Sequence, residues 1–330
     1  MKVYPSLIKS DYFLNAVVLL FITFVFINFT HNSLDNYQGD NIKIEVSEQL
    51  ASDKNYEHIL KRDCEVTGNM HDRHKVRWVK ALTLKNIFQI SYNINKSLPY
   101  YLDILLHSFI LFFSFLLISK TFSTEKKYIL LFLLYITFVF QQYLGEYSYS
   151  IFEMFFLSLA LYSSKNKKHF LFLTACVLAT LNRESGFIIL LSWLIFNEEY
   201  KKFVGFSFLT SLIFIIVNYQ ILECLVDPKF FIPLEHQEGQ VNVGDITSIS
   251  IFSLSKLLIV NFLLPFGLGM YFYINSKIKN KFLLLMFVVY LLTFLFATPL
   301  HHISVRLILI PLIFCSIYFY KLQQNSYAKG

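Results

Sequence analysis

Apolar runs long enough to cross a lipid bilayer recur along this chain from its first residues to its last. Such a run has few fates. In water it must be buried on every side; in a bilayer it spans as a helix, because only a helix or a closed barrel satisfies its own backbone there. Charged residues are 15% of the chain and the mean hydropathy is +0.52, whereas soluble domains carry about 25% charge. The runs are continuous rather than alternating, which excludes barrel strands. The expectation is an all-α, polytopic transmembrane helical bundle.

About ten spans are expected at this run length, at residues 13–30, 99–119, 128–145, 148–163, 169–183, 186–196, 203–226, 251–274, 282–297 and 303–320. The first resembles a signal-peptide core, but no small-residue cleavage site follows it, so it reads as an uncleaved anchor. The fifth and sixth are short and read as one broken helical pair meeting at 182–185. Lysine and arginine in short loops set the orientation. With Lys2 and Lys9 inside, the inner loops 120–127, 164–168, 197–202 and 275–281 and the tail from Lys321 each hold at least two basic residues, while the outer turns 141–149, 183–185 and 298–302 hold few. The reading is N-in/C-in, one integral-membrane domain over 1–330, with a long extracytoplasmic loop at 31–98 and the remaining bundle at 99–320. The net charge of +7 is thereby assigned mainly to topology, with no nucleic acid as partner. Cys64, Cys176, Cys224 and Cys315 are scattered, which gives neither a disulfide framework nor a zinc signature.

Within the long loop, 33–74 is polar, with a short helix expected near 52–61. Residues 76–92 differ: Val76, Val79, Leu82, Ile87 and Ile90 alternate with Arg77, Lys80 and Lys85, the pattern of an amphipathic helix lying in the interface plane.

The polar residues inside the spans gather at one end. On the topology above, Asp103 and His107 fall in the outer half of the second span, one turn apart on one face. Glu146 and Glu153 flank the third-to-fourth turn. Asn182, Arg183 and Glu184 sit at the fifth-to-sixth turn, Glu223 and Lys256 near outer ends, and His301, His302 and Arg306 at the start of the last span. Charge at membrane depth is costly and marks a working site by default.

Each candidate has an ordinary structural reading beside the chemical one. Asp35 and Asp40 follow the first span, where a carboxylate can serve as general base on a hydroxyl; aspartate is also common in solvated loops. Glu146 suits a metal or a substrate hydroxyl, or is a turn residue. Glu153 lies below the interface and calls for a partner, with Arg183, Lys256 or Arg306 available. Arg183 suits a phosphate clamp, since guanidinium matches phosphate geometry; otherwise it pairs with Glu184 or snorkels to headgroups. Arg306 with His301 and His302 is a second clamp candidate. Asp103 and His107 read best as a buried hydrogen-bonded pair. No phosphate-binding Gly-rich loop, G-x-S-x-G or H-E-x-x-H is present.

The layout resembles the GT-C superfamily of integral-membrane glycosyltransferases. An acidic residue follows the first span (Asp35 or Asp40), and a surface-lying helix follows it at 76–92. A second acidic position stands in the third-to-fourth turn (Glu146), an arginine-aromatic pair ends the loop (Arg77–Trp78), and a basic residue stands near the fifth-to-sixth turn (Arg183). The resemblance covers roughly the first 200 residues and is closest to mannosyltransferase-like members. The paired acidic motif of several families is absent after the first span, so the choice between Asp35 and Asp40 stays open. The small C-terminal outer region points to a small bacterial member.

The resemblance implies a donor, a polyprenyl-phosphate sugar, and a glycan or lipid acceptor at the outer face of a cytoplasmic membrane. Asp35 or Asp40 would act as base, Glu146 would orient the acceptor or a divalent metal, and Arg183, with Arg77 or Arg306, would bind the departing phosphate. Glu184 and His302 belong to the same set. The rival expectations are a transporter or flippase for a lipid-linked or anionic substrate, and a surface-polysaccharide polymerase or ligase.

Overall fold

The computed structural model describes residues 42–52, 78–122, 149–197 and 199–222, with four positions of a later helical stretch, Lys281, Leu284, Leu285 and Val288. Every regular element among the described residues is helical. In chain order they are α1 (Ile42–Ala51), α2 (Trp78–Ile94), α3 (Leu98–Phe122), α4 (Tyr149–Lys165) and α5 (His169–Asn182). A 3₁₀ segment (Glu184–Leu191) runs into α6 (Ser192–Phe196). Then come α7 (Tyr200–Val217) and a 3₁₀ turn (Tyr219–Ile221).

Helix α4 is the hub, packed against α3, α5 and α6. Its sequence accounts for that. Phe152, Met154, Phe156, Leu157, Ala160 and Leu161 leave almost no polar face, and a helix apolar all round is a buried one. Small residues let α5 close on it: Ala175, Cys176 and Ala179 are fully buried, with Phe172 and Trp193 filling the space beside them. Three of the buried hydroxyls are satisfied within their own helices. Ser114, Thr121 and Ser158 each donate to the carbonyl one turn back at 2.7 Å.

The turns have identifiable chemistry. Asn95 Oδ1 accepts from the backbone N–H and the hydroxyl of Ser97, and Pro99 stands in the first turn of α3, where its missing N–H costs nothing. After α4 the chain reverses through Lys167 at φ 53°, a left-handed residue just past the helix, while the Lys168 N–H bonds the Ser163 carbonyl.

The short fifth and sixth runs form the broken pair that the sequence suggests. Helix α5 spans about 21 Å at 1.5 Å per residue, short of the roughly 30 Å core of a bilayer. Arg183 is extended (φ −164°, ψ 148°), and the return arm is 3₁₀ before it becomes α-helical at Ser192. Gly186 makes the fold-back possible. A Cβ there would lie 2.3 Å from the carbonyl carbon of Ala179 and 2.4 Å from its oxygen. Among the described residues one helix, Tyr200–Val217, is long and apolar enough to cross a membrane. Much of it is exposed, including Val204, Phe208, Ile215 and Ile216. Shorter apolar stretches occur at Leu98–Ser114, His169–Asn182 and Gly186–Phe196.

The loop helices differ from expectation in register. A helix forms at Ile42–Ala51, within the stretch read as polar loop; the one expected at 52–61 lies outside the described residues apart from Ser52. It docks because Ser47, fully buried, accepts the Tyr100 N–H at 3.1 Å, and Lys43 Nζ donates to the Tyr101 hydroxyl at 2.9 Å. That hydrogen bond holds the Lys43 ammonium above its ordinary pKa. Helix α2 is two-sided. Leu84, Phe88 and Ser91 pack inward, and Ile87, Ile90 and Ile94 form an adjoining exposed stripe. The expected apolar side, which counted Leu82, Ile87 and Ile90, is mostly the exposed one, because the buried contacts follow Leu84 and Phe88 one helical turn apart.

Candidate functional site

Two polar pairs lie on the buried faces of the bundle. The first joins α4 to the hairpin tip. Arg183 leaves α5 in extended conformation with its N–H still bonded to the Ala179 carbonyl, and its own carbonyl accepts from Gly186 N–H at 2.9 Å. This tight turn aims the guanidinium across the α4–α5 seam, where Nη1 donates to Glu153 Oε2 at 3.3 Å. The Glu153 side chain is 4% exposed and that of Arg183 15%. Taking such charges out of water is offset only by mutual attraction and good hydrogen bonding, so each residue depends on the other. The contact is through one nitrogen of a group that carries five N–H donors.

The second pair lies on α3. His107 Nδ1 is 2.8 Å from the Asp103 backbone carbonyl and 3.1 Å from its carboxylate Oδ1. Both are acceptors, which assigns the ring proton to Nδ1. The imidazole stands edge-on to Phe152, ring centres 6.3 Å apart, and Phe152 immediately precedes Glu153 on α4. His107 Nε2 is buried and has no hydrogen-bond partner among the described residues. On another side of α3 an apolar groove of about 480 Å³ runs against α4, lined by Leu102, Leu106, Phe109, Ile110, Phe155 and Leu159 among others.

The structure therefore brings together four of the polar residues singled out in the sequence: Asp103 with His107, and Glu153 with Arg183. Arg183 is paired with Glu153 across the α4–α5 seam, and the Glu184 backbone opens the 3₁₀ segment. Asp35, Asp40, Arg77, Glu146, Glu223, Lys256, His301, His302 and Arg306 lie outside the described residues. Among the described residues no three His, Cys, Asp or Glu side chains converge as a metal-binding group.

The opposite end of the same helices carries a polar cluster that pattern reading missed. Asn197 Nδ2 donates to the Ser164 carbonyl at 2.9 Å, and Ser164 Oγ donates to the Ser192 carbonyl at 3.0 Å. Beyond it His169 lies against Trp193 and Phe206, with Lys202 Nζ 3.2 Å from its Nε2. Lys165 Nζ donates to the Thr121 carbonyl. A lone Asn after an apolar run gives no signal of such a tie except its place at a helix end. Comparison with protein-family models, with curated proteins and with solved structures finds no match to this chain.

Proposed function

We propose that this chain is a membrane glycosyltransferase that moves a sugar from a polyprenyl-phosphate donor to an acceptor hydroxyl at the outer face of a cytoplasmic membrane. It would do so as a polytopic bundle of about ten spans with both termini inside. The observation that carries the reading is the buried Glu153–Arg183 pair at the tip of a short hairpin. Counted from Lys165 and His169, Glu153 and Arg183 lie about 18 Å and 21 Å along their helices at 1.5 Å per residue. If that lysine-rich end sits at the inner interface, the pair stops roughly 10 Å short of the outer one in a core of about 30 Å. Irregular backbone at such depth is tolerated where it is packed in protein or lines a wet recess. An arginine there, held by one carboxylate contact, is suited to an anionic headgroup drawn in from the outer leaflet.

The chemistry would be a direct displacement. Asp35 or Asp40 takes the proton of the acceptor hydroxyl, and the oxygen bonds to the anomeric carbon as the bond from that carbon to the phosphate oxygen breaks. The polyprenyl phosphate leaves with the electron pair. Arg183, with Arg77 or Arg306, stabilises the charge that gathers on the phosphate. Glu146 orients the acceptor or a divalent metal. The prenyl chain would lie in the apolar groove between α3 and α4, and the isoleucine stripe of α2 would rest on lipid with Lys85 at the water boundary.

One observation favours a second reading. Discontinuous helices whose broken ends face a buried site are also the build of transporters, and the α5–α6 hairpin has that form. A transfer assay separates the two. Membranes containing the chain are given radiolabelled polyprenyl-phosphate sugars, with Asp35→Asn, Asp40→Asn and Arg183→Lys compared at matched expression. The lysine keeps a cation for Glu153 while losing the planar fork. Transfer by the wild type, lost in one aspartate variant and lowered about tenfold or more in Arg183→Lys, is the expected result. No transfer from any donor by folded protein moves the reading to transport.

A further inference from the structure

We infer that His107 is a substrate-binding residue, its Nε2 accepting a hydrogen bond from a hydroxyl of the sugar whose phosphate Arg183 holds. The inference rests on the glycosyltransferase reading and assigns to the donor pocket a residue of the second span, outside the set that the resemblance brought forward. Buried polar atoms in folded proteins nearly always have a partner, and each exception calls for a reason. His107 Nε2 is such an exception, in a side chain only 6% exposed. Its neighbour on the ring is the opposite case. Nδ1 has two oxygens of Asp103 within 3.1 Å, which places a proton there, and in the neutral ring Nε2 is then an acceptor.

An acceptor fixed in this way recognises O–H or N–H donors and repels anions. It lies against Phe152, one residue before the carboxylate that steadies Arg183. The two elements together offer one acceptor for a hydroxyl and one cation for an anion, with an aromatic ring beside the acceptor. A hexose phosphate presents both groups in a single molecule. A structural role for His107 would complete the Nδ1 contact and leave Nε2 unexplained.

Two variants separate the ring nitrogens. Asn at this position retains a donor near the Nδ1 site and has nothing at the Nε2 site; Gln reaches to the Nε2 site with an amide oxygen. Full-length wild type, His107→Asn and His107→Gln are assayed in membranes with polyprenyl-phosphate glucose and mannose and with the monodeoxy analogues of each, and the melting temperature of each protein is recorded. The expected result is a loss of about 10- to 100-fold in kcat/KM for His107→Asn and a smaller loss for His107→Gln, at melting temperatures near wild type. One deoxy analogue should be as poor for the wild type as the parent sugar is for His107→Asn, with no further loss when the two changes are combined. Undiminished transfer by His107→Asn, or a loss of equal size with every analogue, overturns the inference and leaves the glycosyltransferase reading standing. No transfer by folded wild type removes that reading, and the assignment of His107 to a sugar hydroxyl with it.

Discussion

The hairpin formed by α5 and its return arm has two ends, and they bury polar groups in different ways. At the Asn197 end the groups are neutral: the Asn197 amide and the Ser164 hydroxyl tie the Ser164 and Ser192 carbonyls. At the Arg183 end they are ions, joined through one 3.3 Å contact, with a second pair on α3 whose histidine keeps one nitrogen unpaired. Neutral ties at helix ends are the ordinary means of closing a fold. Ions are a poor choice for that purpose, because well-packed apolar residues in their place are often as stable. On the proposed function, one end holds the hairpin shut and the other does work that needs charge.

The sharpest way to break the comparison is to open the hairpin itself. In Gly186→Ala the new Cβ would stand 2.3–2.4 Å from backbone atoms of Ala179 and Thr180, where no rotamer change relieves it. Both ends should then fail together, with a loss of more than about 3 kcal/mol. The check is the fraction of monodisperse protein after extraction and its thermal melt. A well-folded Gly186→Ala protein would mean that the return arm is held by other contacts.

Next in size is the ion pair. Arg183→Ala leaves Glu153 buried without this cation, and breaking a buried pair from one side costs about 3 kcal/mol or somewhat more; the partial exposure of Arg183 places this case at the lower end. Combining it with Glu153→Gln removes the buried carboxylate charge that Arg183 offset and should recover much of the melting temperature without recovering transfer. Recovery of both would make the pair a structural tie like that at Asn197. Asn197→Ala should behave in the opposite way. It costs about 0.5–1.5 kcal/mol, the usual range for a lost hydrogen bond whose acceptor keeps another donor, here the Lys167 N–H on the Ser164 carbonyl, while kcat/KM of the folded protein stays within about twofold of wild type.

The contrast between the ends also explains what could be read ahead of the structure. Ion-bearing positions are conspicuous in apolar sequence, so Asp103, His107, Glu153 and Arg183 stood out, and helical spacing sufficed to pair the first two. The break of the hairpin was legible as two short runs around residues 182–185. The register of α2 was not, because its isoleucines and its buried Leu84 and Phe88 are all apolar, and periodicity cannot say which stripe meets protein and which meets lipid. Helix α1 was missed for a related reason: it docks through Ser47 and Lys43, polar residues that a hydropathy pattern counts as loop. The pairing of Arg183 with Glu153 depends on the extended backbone at Arg183, which carries no sequence signal of its own.

The smallest expected effect tests whether charge at the Asn197 end matters at all. Glu199 stands just before α7, its Oε2 3.0 Å from Lys202 Nζ, and the hydrogen bond from Lys202 holds its carboxyl below the ordinary value of 4.5. A carboxyl depressed in the folded state stabilises at pH above its unfolded value, and that stability is lost as pH falls through the lower, folded value. The melting temperature of wild type should therefore exceed that of Glu199→Gln by a small margin at pH 7, and the margin should close on acidification below 4.5. Because both partners are solvent-accessible, it should also shrink with added salt. A margin that survives low pH and high salt would mean that Glu199 acts through packing. One that behaves as expected would leave the lysines of this end with a weak hold on stability, in keeping with the topological role that the proposed ten-span reading gives them.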